Sequence, residues 1–161
     1  MSRVGRIRVV LYGSLSLTGL GHGTDRAILA GLEGNVPATV DTDYLLSVRE
    51  RCAHDGTIHV NGTNAIAYDD DGDMVFDRWK RLAPHPNGMR FQAFDAQGNI
   101  IDEQVWYSIG GGFIRRGRID DALISNHEQT PASSQSPEDS GNDEAAEYGD
   151  GVHIPSYHAT A

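Results

Sequence analysis

Short segments in which hydrophobic and polar residues alternate are the clearest pattern in this chain. Arg6–Tyr12 is rich in β-branched and aromatic residues and predicts a strand. Residues 88–109 alternate on both sides of a glycine-containing turn and predict a hairpin. A further hairpin is predicted over residues 57–68, because Asn61-Gly62 at its centre favours a two-residue turn.

Hydrophobic residues at helical spacing predict two helices between these strands. Thr24 is interpreted as the N-cap of the first, with Asp25 in its first turn, where the helix dipole favours a negative charge. A second, short helix is predicted to begin at Asp41 or Thr42. Its predicted buried residues are Leu45, Leu46 and Val48, and its predicted solvated residues are Arg49, Glu50 and Arg51. Helices mixed with hairpins predict an α+β domain, with helices packed on a mixed or antiparallel sheet.

Charge is distributed unevenly along the 161 residues. Residues 1–118 contain all 13 Lys and Arg and 14 acidic residues, whereas the remainder adds nine acidic residues and no basic one. The domain is therefore predicted over residues 1–126, and the Ser-, Pro- and Glu-rich segment 127–151 is predicted to be a disordered acidic linker. Because no basic patch with interleaved aromatic residues occurs, we expect no nucleic-acid partner.

The chain contains neither the ~20 consecutive apolar residues that a membrane span requires nor a signal-peptide pattern. We therefore expect a cytoplasmic protein without a membrane partner. Cys52 is the only cysteine, which excludes an intrachain disulfide and any iron–sulfur cluster held wholly by this chain. Cys52 is predicted to be a small buried residue. The acidic run Asp69–Asp73 fails the spacing of a calcium loop and predicts a solvated loop, so no metal ligand is predicted.

Glycines and hydroxyl residues fill the predicted loop Gly13–Gly23 before the first helix. Backbone amides at such a helix N-terminus bind small anions, and a capped turn without a ligand is the alternative. The hydroxyl residues predicted to contribute are Ser14, Thr18 and Thr24. His22 is the residue there that can transfer a proton near neutral pH, although a hydrogen-bonded structural histidine is the alternative.

A second candidate site precedes the later hairpin. His85, Asn87 and Arg90 have the side-chain types that bind a carboxylate or an amide. The alternative is that these are turn residues leading into a strand. Gly110–Gly112 is interpreted as a flexible strand exit.

Four segments occur in the order and spacing of one known family. They are Tyr-Gly-Ser-Leu-Ser-Leu-Thr-Gly-Leu-Gly-His-Gly-Thr-Asp at 12–25, Ala-Gly-Leu-Glu-Gly-Asn-Val-Pro-Ala-Thr-Val-Asp at 30–41, His-Pro-Asn-Gly-Met-Arg-Phe at 85–91 and Tyr-Ser-Ile-Gly-Gly-Gly-Phe-Ile at 107–114. Over residues 4–118 the chain resembles the N-terminal, or beta, domain of bacterial iron–sulfur L-serine dehydratases. The resemblance implies an α+β fold similar to the allosteric substrate-binding domain of some phosphoglycerate dehydrogenases.

The same resemblance implies a function shared with another domain. In this family a separate catalytic domain or alpha subunit holds a [4Fe–4S] cluster and converts L-serine to pyruvate and ammonia. His22 and His85 are then expected to face the substrate cleft as catalytic residues, with a neutral imidazole suited to proton abstraction or carboxylate binding. This chain is expected to bind no cofactor alone and to be inactive alone.

The sequence departs from the family pattern in three ways. The helix with a Gly-Pro-Ser-Ser-Ser-His-Thr motif that normally precedes the first strand is missing, and Leu20 stands where a basic residue is frequent. Val152–Tyr157 resembles the entry to the catalytic domain, so residues 152–161 are expected to begin the link to that missing domain.

Three interpretations follow from these departures. The chain is the beta part of a dehydratase that docks on the cluster-bearing partner, a stand-alone module that binds serine or a small anion, or an inactive fragment. Exposed Ile28, Leu29 or Phe94 side chains would favour the fragment or a partner. Whether the chain forms a homo-oligomer is left open by the sequence.

Overall fold

The computed structural model describes residues 3–125, and these form four helices and nine strands. The helices are α1 (Gly13–His22), α2 (Thr24–Leu32), α3 (Thr42–Asp55) and α4 (Asp70–Asp73). The strands are β1 (Arg6–Tyr12), β2 (Thr57–Val60), β3 (Asn64–Ala67), β4 (Met74–Asp77), β5 (Lys80–Leu82), β6 (Gly88–Phe94), β7 (Ile100–Gly110), β8 (Phe113–Arg116) and β9 (Leu123–Ser125). The predicted α+β class is confirmed. The predicted linker 127–151 and the predicted link 152–161 lie outside the described residues.

Seven strands form one mixed sheet with β1 near its centre. The spatial order is β2-β3-β1-β6-β7-β8, and β4 also pairs with β1. β1 runs parallel to β3 and β4 but antiparallel to β6. β5 and β9 form a separate two-stranded antiparallel sheet.

The alternating residues of β1 face two hydrophobic cores, one on each side of the sheet. Ile7, Val9 and Leu11 pack against the helices, and each is at most 1% exposed. Val10 and Tyr12 face the other side, where they pack with the residues Leu82, Val105 and Tyr107. The sequence predicts β1 with the correct limits, and also β2, which is predicted at Thr57–Val60.

Both predicted hairpins are confirmed. Asn61 and Gly62 have φ values of 54° and 75°, a left-handed conformation typical of tight hairpin connections. With Thr63 they form a three-residue connection, since Val60 pairs with Asn64. β6 and β7 form the second hairpin, with an irregularity in register between Ala93 and Phe94. The glycines at 110–112 form the turn into β8, a strand that the hydrophobic pattern does not predict.

The prediction of a loop at 13–23 is wrong, because α1 occupies nearly all of it. Gly23, with φ of 72°, ends α1 and also stands as the N-cap of α2. Thr24 is therefore the first residue of α2 and not its cap, although Asp25 does lie in the first turn. At α3 the cap prediction is confirmed, since Asp41 Oδ1 accepts a hydrogen bond from Tyr44 N at 3.0 Å.

The predicted exposure of α3 is only partly correct. The helix has 14 residues and is not short, and Leu46 is 60% exposed, whereas Val48 is buried. Leu45 is half-buried. Arg49 and Arg51, predicted to be solvated, instead pair with buried or half-buried carboxylates of other elements.

The run Asp69–Asp73 is likewise not a solvated loop. Asp73 is 1% exposed and pairs with Arg6, while Asp70 pairs with Arg49. Burial of a carboxylate is costly unless a cation and hydrogen bonds compensate it, and these arginines supply both.

Candidate functional site

Helix α1 packs on the rest of the domain through its small residues. Gly13, Ser16 and Gly19 are buried and lie three positions apart, so they share one face. A Cβ atom at Gly13 would lie 2.5 Å from the Pro86 carbonyl oxygen, and one at Gly19 would lie 3.6 Å from the Phe76 ring. Only glycine permits the close approach at Gly13, whereas the distance at Gly19 is an ordinary van der Waals contact, and both show that this face of α1 lies directly against its neighbours.

The outward face of α1 carries most of the candidate residues of the first segment. Ser14, Thr18 and His22 are exposed and lie four positions apart, in one row along the helix. Leu17 and Leu20 accompany them and are 63% and 43% exposed. The predicted anion loop is thus a helix face, and we call these five residues the outer face of α1.

The segment at 85–90 meets the start of α1. Ser14 N donates to the Pro86 carbonyl oxygen at 3.1 Å, so the two candidate segments are in contact. His85 is half-buried, its Nδ1 accepts from Asn87 N at 3.0 Å, and its ring lies 6.0 Å from that of Tyr107. A neutral His85 therefore carries its proton on Nε2, which is a donor.

The two candidate catalytic histidines lie at opposite ends of α1. His85 is beside the first turn, whereas His22 is the last residue, about 12 Å farther along the helix axis at 1.5 Å per residue. The domain alone does not bring the two imidazoles together. Their catalytic roles remain predictions.

The other predicted binding groups are partly engaged within the domain. Thr18 Oγ1 donates to the Ser14 carbonyl at 2.9 Å, and Thr24 packs against Gly19. Arg90 is 13% exposed, pairs with Glu103 and donates to the carbonyl of Ile119 at 3.4 Å. Glu103 thus neutralises the guanidinium of Arg90, which the sequence predicts to bind a ligand. The structure brings Arg90 to the sheet rather than to the outer face of α1.

Arg90 also lies beside Tyr12 on the side of the sheet away from α2 and α3. Burial raises the pKa of the Tyr12 hydroxyl, and the Arg90 guanidinium offsets part of that effect. The phenol is therefore neutral at physiological pH.

Asn87 is held in the segment at 85–90 through its backbone. Its backbone carbonyl accepts a hydrogen bond from Ser108 N at 2.9 Å, which anchors this segment to β7.

The sequence does not predict one cluster of charged residues. Arg49 donates to Asp25 at 2.6 Å and to Asp70 at 2.9 Å, and the Tyr68 hydroxyl donates to Asp70 at 2.7 Å. Hydrogen bonds from Arg49 lower the pKa of Asp70. Asp25 and Arg49 are separated by 24 positions, so no local pattern indicates their contact.

The residues of this chain do not fit an iron–sulfur cluster. Cys52 is fully buried, and burial raises the pKa of its thiol to about 11, so it is not a thiolate at neutral pH. Within residues 3–125, no group of three or more His, Cys, Asp or Glu is placed to hold a metal ion. No helix in the same range has the length and apolarity needed to cross a membrane.

Comparison with known proteins identifies the family. The family model for the serine dehydratase beta chain matches residues 1–118. The chain belongs to the serine dehydratase beta-chain family. The resemblance inferred from the four sequence segments is therefore confirmed.

Several relatives of this beta-chain protein are named L-serine dehydratase. That of Streptomyces coelicolor is 45% identical over 114 residues, which cover 71% of this chain and 25% of the relative. L-serine dehydratase 2 of Escherichia coli is 39% identical over 135 residues, covering 83% and 28%. The Mycobacterium tuberculosis protein is 36% identical over 132 residues, covering 81% and 27%. The chain thus spans about a quarter of the length of these relatives.

Three side chains serve as indicators of an unfilled face of this beta-chain domain. Ile28 and Leu29 are both 0% exposed, and Phe94 is half-buried. The exposure that would indicate an unfilled face at these three positions is not observed. Exposed leucines lie instead on α1 and α3, and one further exposed leucine, Leu123, lies on β9.

Proposed function

We propose that this chain is the beta part of an L-serine dehydratase and that it completes an active site together with a separate catalytic domain. The outer face of α1 carries this proposal, because it presents Ser14, Thr18 and His22 to solvent between two exposed leucines. Family membership and the names of the relatives support the same reaction. The substrate in this proposal is L-serine, and the cellular location is the cytoplasm.

The exposed leucines support docking on a partner. Leu17 and Leu20 on α1 and Leu46 on α3 are 63%, 43% and 60% exposed. Burial of a leucine side chain contributes about 1.5–3 kcal/mol, so covering this surface would stabilise a complex. The partner is the polypeptide segment that corresponds to the other three quarters of the relatives' length.

The two histidines take different roles in this proposal. Because Asn87 N donates to His85 Nδ1, the His85 Nε2–H is a donor suited to binding a substrate carboxylate. His22 is exposed at the end of α1, and its neutral imidazole can accept the α-proton of serine. The carboxylate and the α-proton of one serine molecule are attached to the same carbon atom, so this proposal requires that docking of the partner brings the two imidazoles closer together than they lie in the free domain.

The [4Fe–4S] cluster implied by the resemblance belongs to the partner in this proposal. This chain contains one cysteine, and that thiol is buried among hydrophobic residues of the core. The contribution of the chain is therefore restricted to binding the partner, orienting the substrate and accepting a proton.

Reconstitution tests the proposal. The full chain is mixed with the purified part of the Streptomyces coelicolor relative that this chain does not match, and serine-dependent pyruvate formation is measured. We expect activity only with both components, and a loss of about 100-fold or more for His22→Asn.

His54→Asn is the matched control, because His54 is 89% exposed on α3 and lies outside the outer face of α1. It should retain full activity. Absence of pyruvate with the wild-type pair, although the two components bind each other, would refute the dehydratase role.

A further inference from the structure

Three cationic side chains on one side of the domain lack a carboxylate partner. Lys80 and Arg81 belong to β5, and Arg115 belongs to β8. In the part of the chain that the structure describes, none of the three forms an ion pair, whereas Arg49 and Arg90 each pair with an acidic side chain. Lys80 and Arg115 are exposed, and Arg81 is half-buried. We call these three residues the cationic cluster.

A series of contacts places the cationic cluster around His85. Leu82, which follows Arg81 in β5, forms an antiparallel β-bridge with His85. The ring of His85 lies 6.0 Å from that of Tyr107, and Arg115 Cζ lies 5.6 Å from the centre of the same Tyr107 ring. The cations of β5 and β8 therefore lie on either side of the half-buried imidazole.

Two carboxylates lie near the cationic cluster, and both already accept hydrogen bonds from neutral groups. Asp77 Oδ1 accepts from Lys80 N at 3.1 Å, and Asp121 Oδ2 accepts from the Tyr107 hydroxyl at 2.6 Å. Helix α1 begins beside Arg81 without an acidic residue in its first turn, so its N-terminus adds positive potential. The region therefore keeps an excess of positive charge.

The acidic part of the chain begins beside this cluster. Ser125, the last residue of β9, pairs with Lys80 of β5. From residue 126 to residue 161 the sequence contains seven acidic residues and neither Lys nor Arg. Glu138 and Asp139 follow Ser125 by 13 and 14 positions. A polypeptide spans up to about 3.3 Å per residue, so these carboxylates can reach every member of the cluster.

We propose that the acidic segment 128–150 binds the cationic cluster of the same chain. Attachment at Ser125 gives the segment a high effective concentration, so that several exposed ion pairs, each weak individually, can hold it. The bound segment lies over His85 and reduces access to its imidazole. The acidic segment of a second copy lacks the advantage of attachment. The inference does not rest on the proposed dehydratase role, because it concerns this chain alone.

A spin label in the acidic segment tests this contact in the full, ¹⁵N-labelled chain. Ser140→Cys provides the attachment point, because the natural Cys52 is 0% exposed. The label broadens the NMR signals of the amides that it approaches. Attachment alone causes some broadening near Lys80, so the quantity measured is the part that salt removes. We expect the broadening at His85 and Arg115 to fall about twofold or more between about 0.1 M and about 1 M NaCl, because salt screens exposed charges.

Charge variants separate attraction from attachment. The variant of the segment carries four neutral substitutions, Glu138→Gln, Asp139→Asn, Asp143→Asn and Glu144→Gln. At low salt this variant should show weaker broadening at His85, and Lys80→Gln should act in the same direction. Arg26→Gln is the matched control, because Arg26 is a half-exposed cation on α2 without an ion pair in residues 3–125. It should leave the broadening at His85 unchanged.

Three results would overturn the proposal. Broadening that does not depend on salt would show that attachment alone brings the label near His85. Equal broadening in the variant with four neutral substitutions would show that the carboxylates are not responsible. Equally strong broadening of an unlabelled ¹⁵N chain by a separate spin-labelled chain would show that the contact forms between copies. No partner protein is used, so failure here and failure of the dehydratase reconstitution are separate outcomes.

Discussion

Helices α1 and α2 are neighbours along the chain, yet they distribute large and small residues in opposite ways. The side chains that α2 buries include Ile28, Leu29 and Leu32, whereas the residues that α1 buries are Gly13, Ser16 and Gly19. The leucines of α1 at 17 and 20 point outward. The hydrophobic residues of α2 therefore stabilise this domain, whereas on α1 only Leu15 packs against the core, and Leu17 and Leu20 are available to a partner.

The largest expected effect is the difference in the free energy of unfolding between a substitution in α2 and one in α1. Ile28→Ala should lower the free energy of unfolding by about 2–5 kcal/mol, because it leaves a cavity in the core. Leu17→Ala should change it by no more than about 0.5 kcal/mol, since Leu17 is mostly exposed. Urea denaturation of both variants measures the difference, and equal losses would contradict the comparison.

The two helices should also differ in their contribution to acid-dependent stability, because Glu33 follows α2 directly whereas α1 contains no acidic residue. Burial opposes the charge of Glu33, but hydrogen bonds from Arg51, Tyr44 and the His59 amide outweigh it and lower the pKa of Glu33. A lowered pKa in the folded state stabilises the protein above the ordinary value of 4.5, and that contribution is lost as pH falls below it.

We therefore expect the free energy of unfolding to fall by about 1–3 kcal/mol as the Glu33 carboxylate is protonated. Glu33→Gln should flatten this part of the profile. Urea denaturation of the wild-type chain and of Glu33→Gln at a series of pH values measures both effects. Identical pH profiles of the two proteins would show that the Glu33 carboxylate does not stabilise the contact between α2 and α3.

These elements show how far the sequence predicts the fold. The limits of β1 and the turn at Asn61-Gly62 follow from local patterns of alternation and turn preference. Helix α1 does not, because Gly13, Gly19 and Gly21 are poor helix formers, and its stability comes from packing against distant residues such as Pro86.

As with the fold, the sequence predicts part of the candidate site. Local sequence identifies His22 and His85 as groups able to transfer a proton, but not the contact between Ser14 and Pro86 that joins their segments. The pairing of Arg49 with Asp25 and Asp70 depends on three separate helices. Such contacts are set by tertiary structure, which no local pattern of charge specifies.

A smaller effect is expected from two glycines of α1 that differ in backbone conformation and in their surroundings. Gly13→Ala should destabilise the protein by at least about 1 kcal/mol, because Gly13 has φ of 54° and a Cβ would collide with the Pro86 carbonyl. Gly21→Ala should stabilise it by about 0.5–1 kcal/mol, since nothing lies within 4 Å of a Cβ there.

Thermal or urea unfolding of the two glycine variants gives the signs. Opposite signs would show that one side of α1 is packed and the other is open. A destabilised Gly21→Ala would indicate instead that the outer face is already covered within this chain.

The most direct test of the central claim compares Leu17→Gln with Ile119→Gln, since the two side chains are similarly exposed at 63% and 61%. The affinity of each variant for the part of the Streptomyces coelicolor relative that this chain does not match is measured by calorimetry. Leu17→Gln should weaken binding by about tenfold or more, with little change in the free energy of unfolding. Ile119→Gln should bind like the wild-type chain. Unchanged affinity of Leu17→Gln would contradict the assignment of the outer face of α1 as the docking surface.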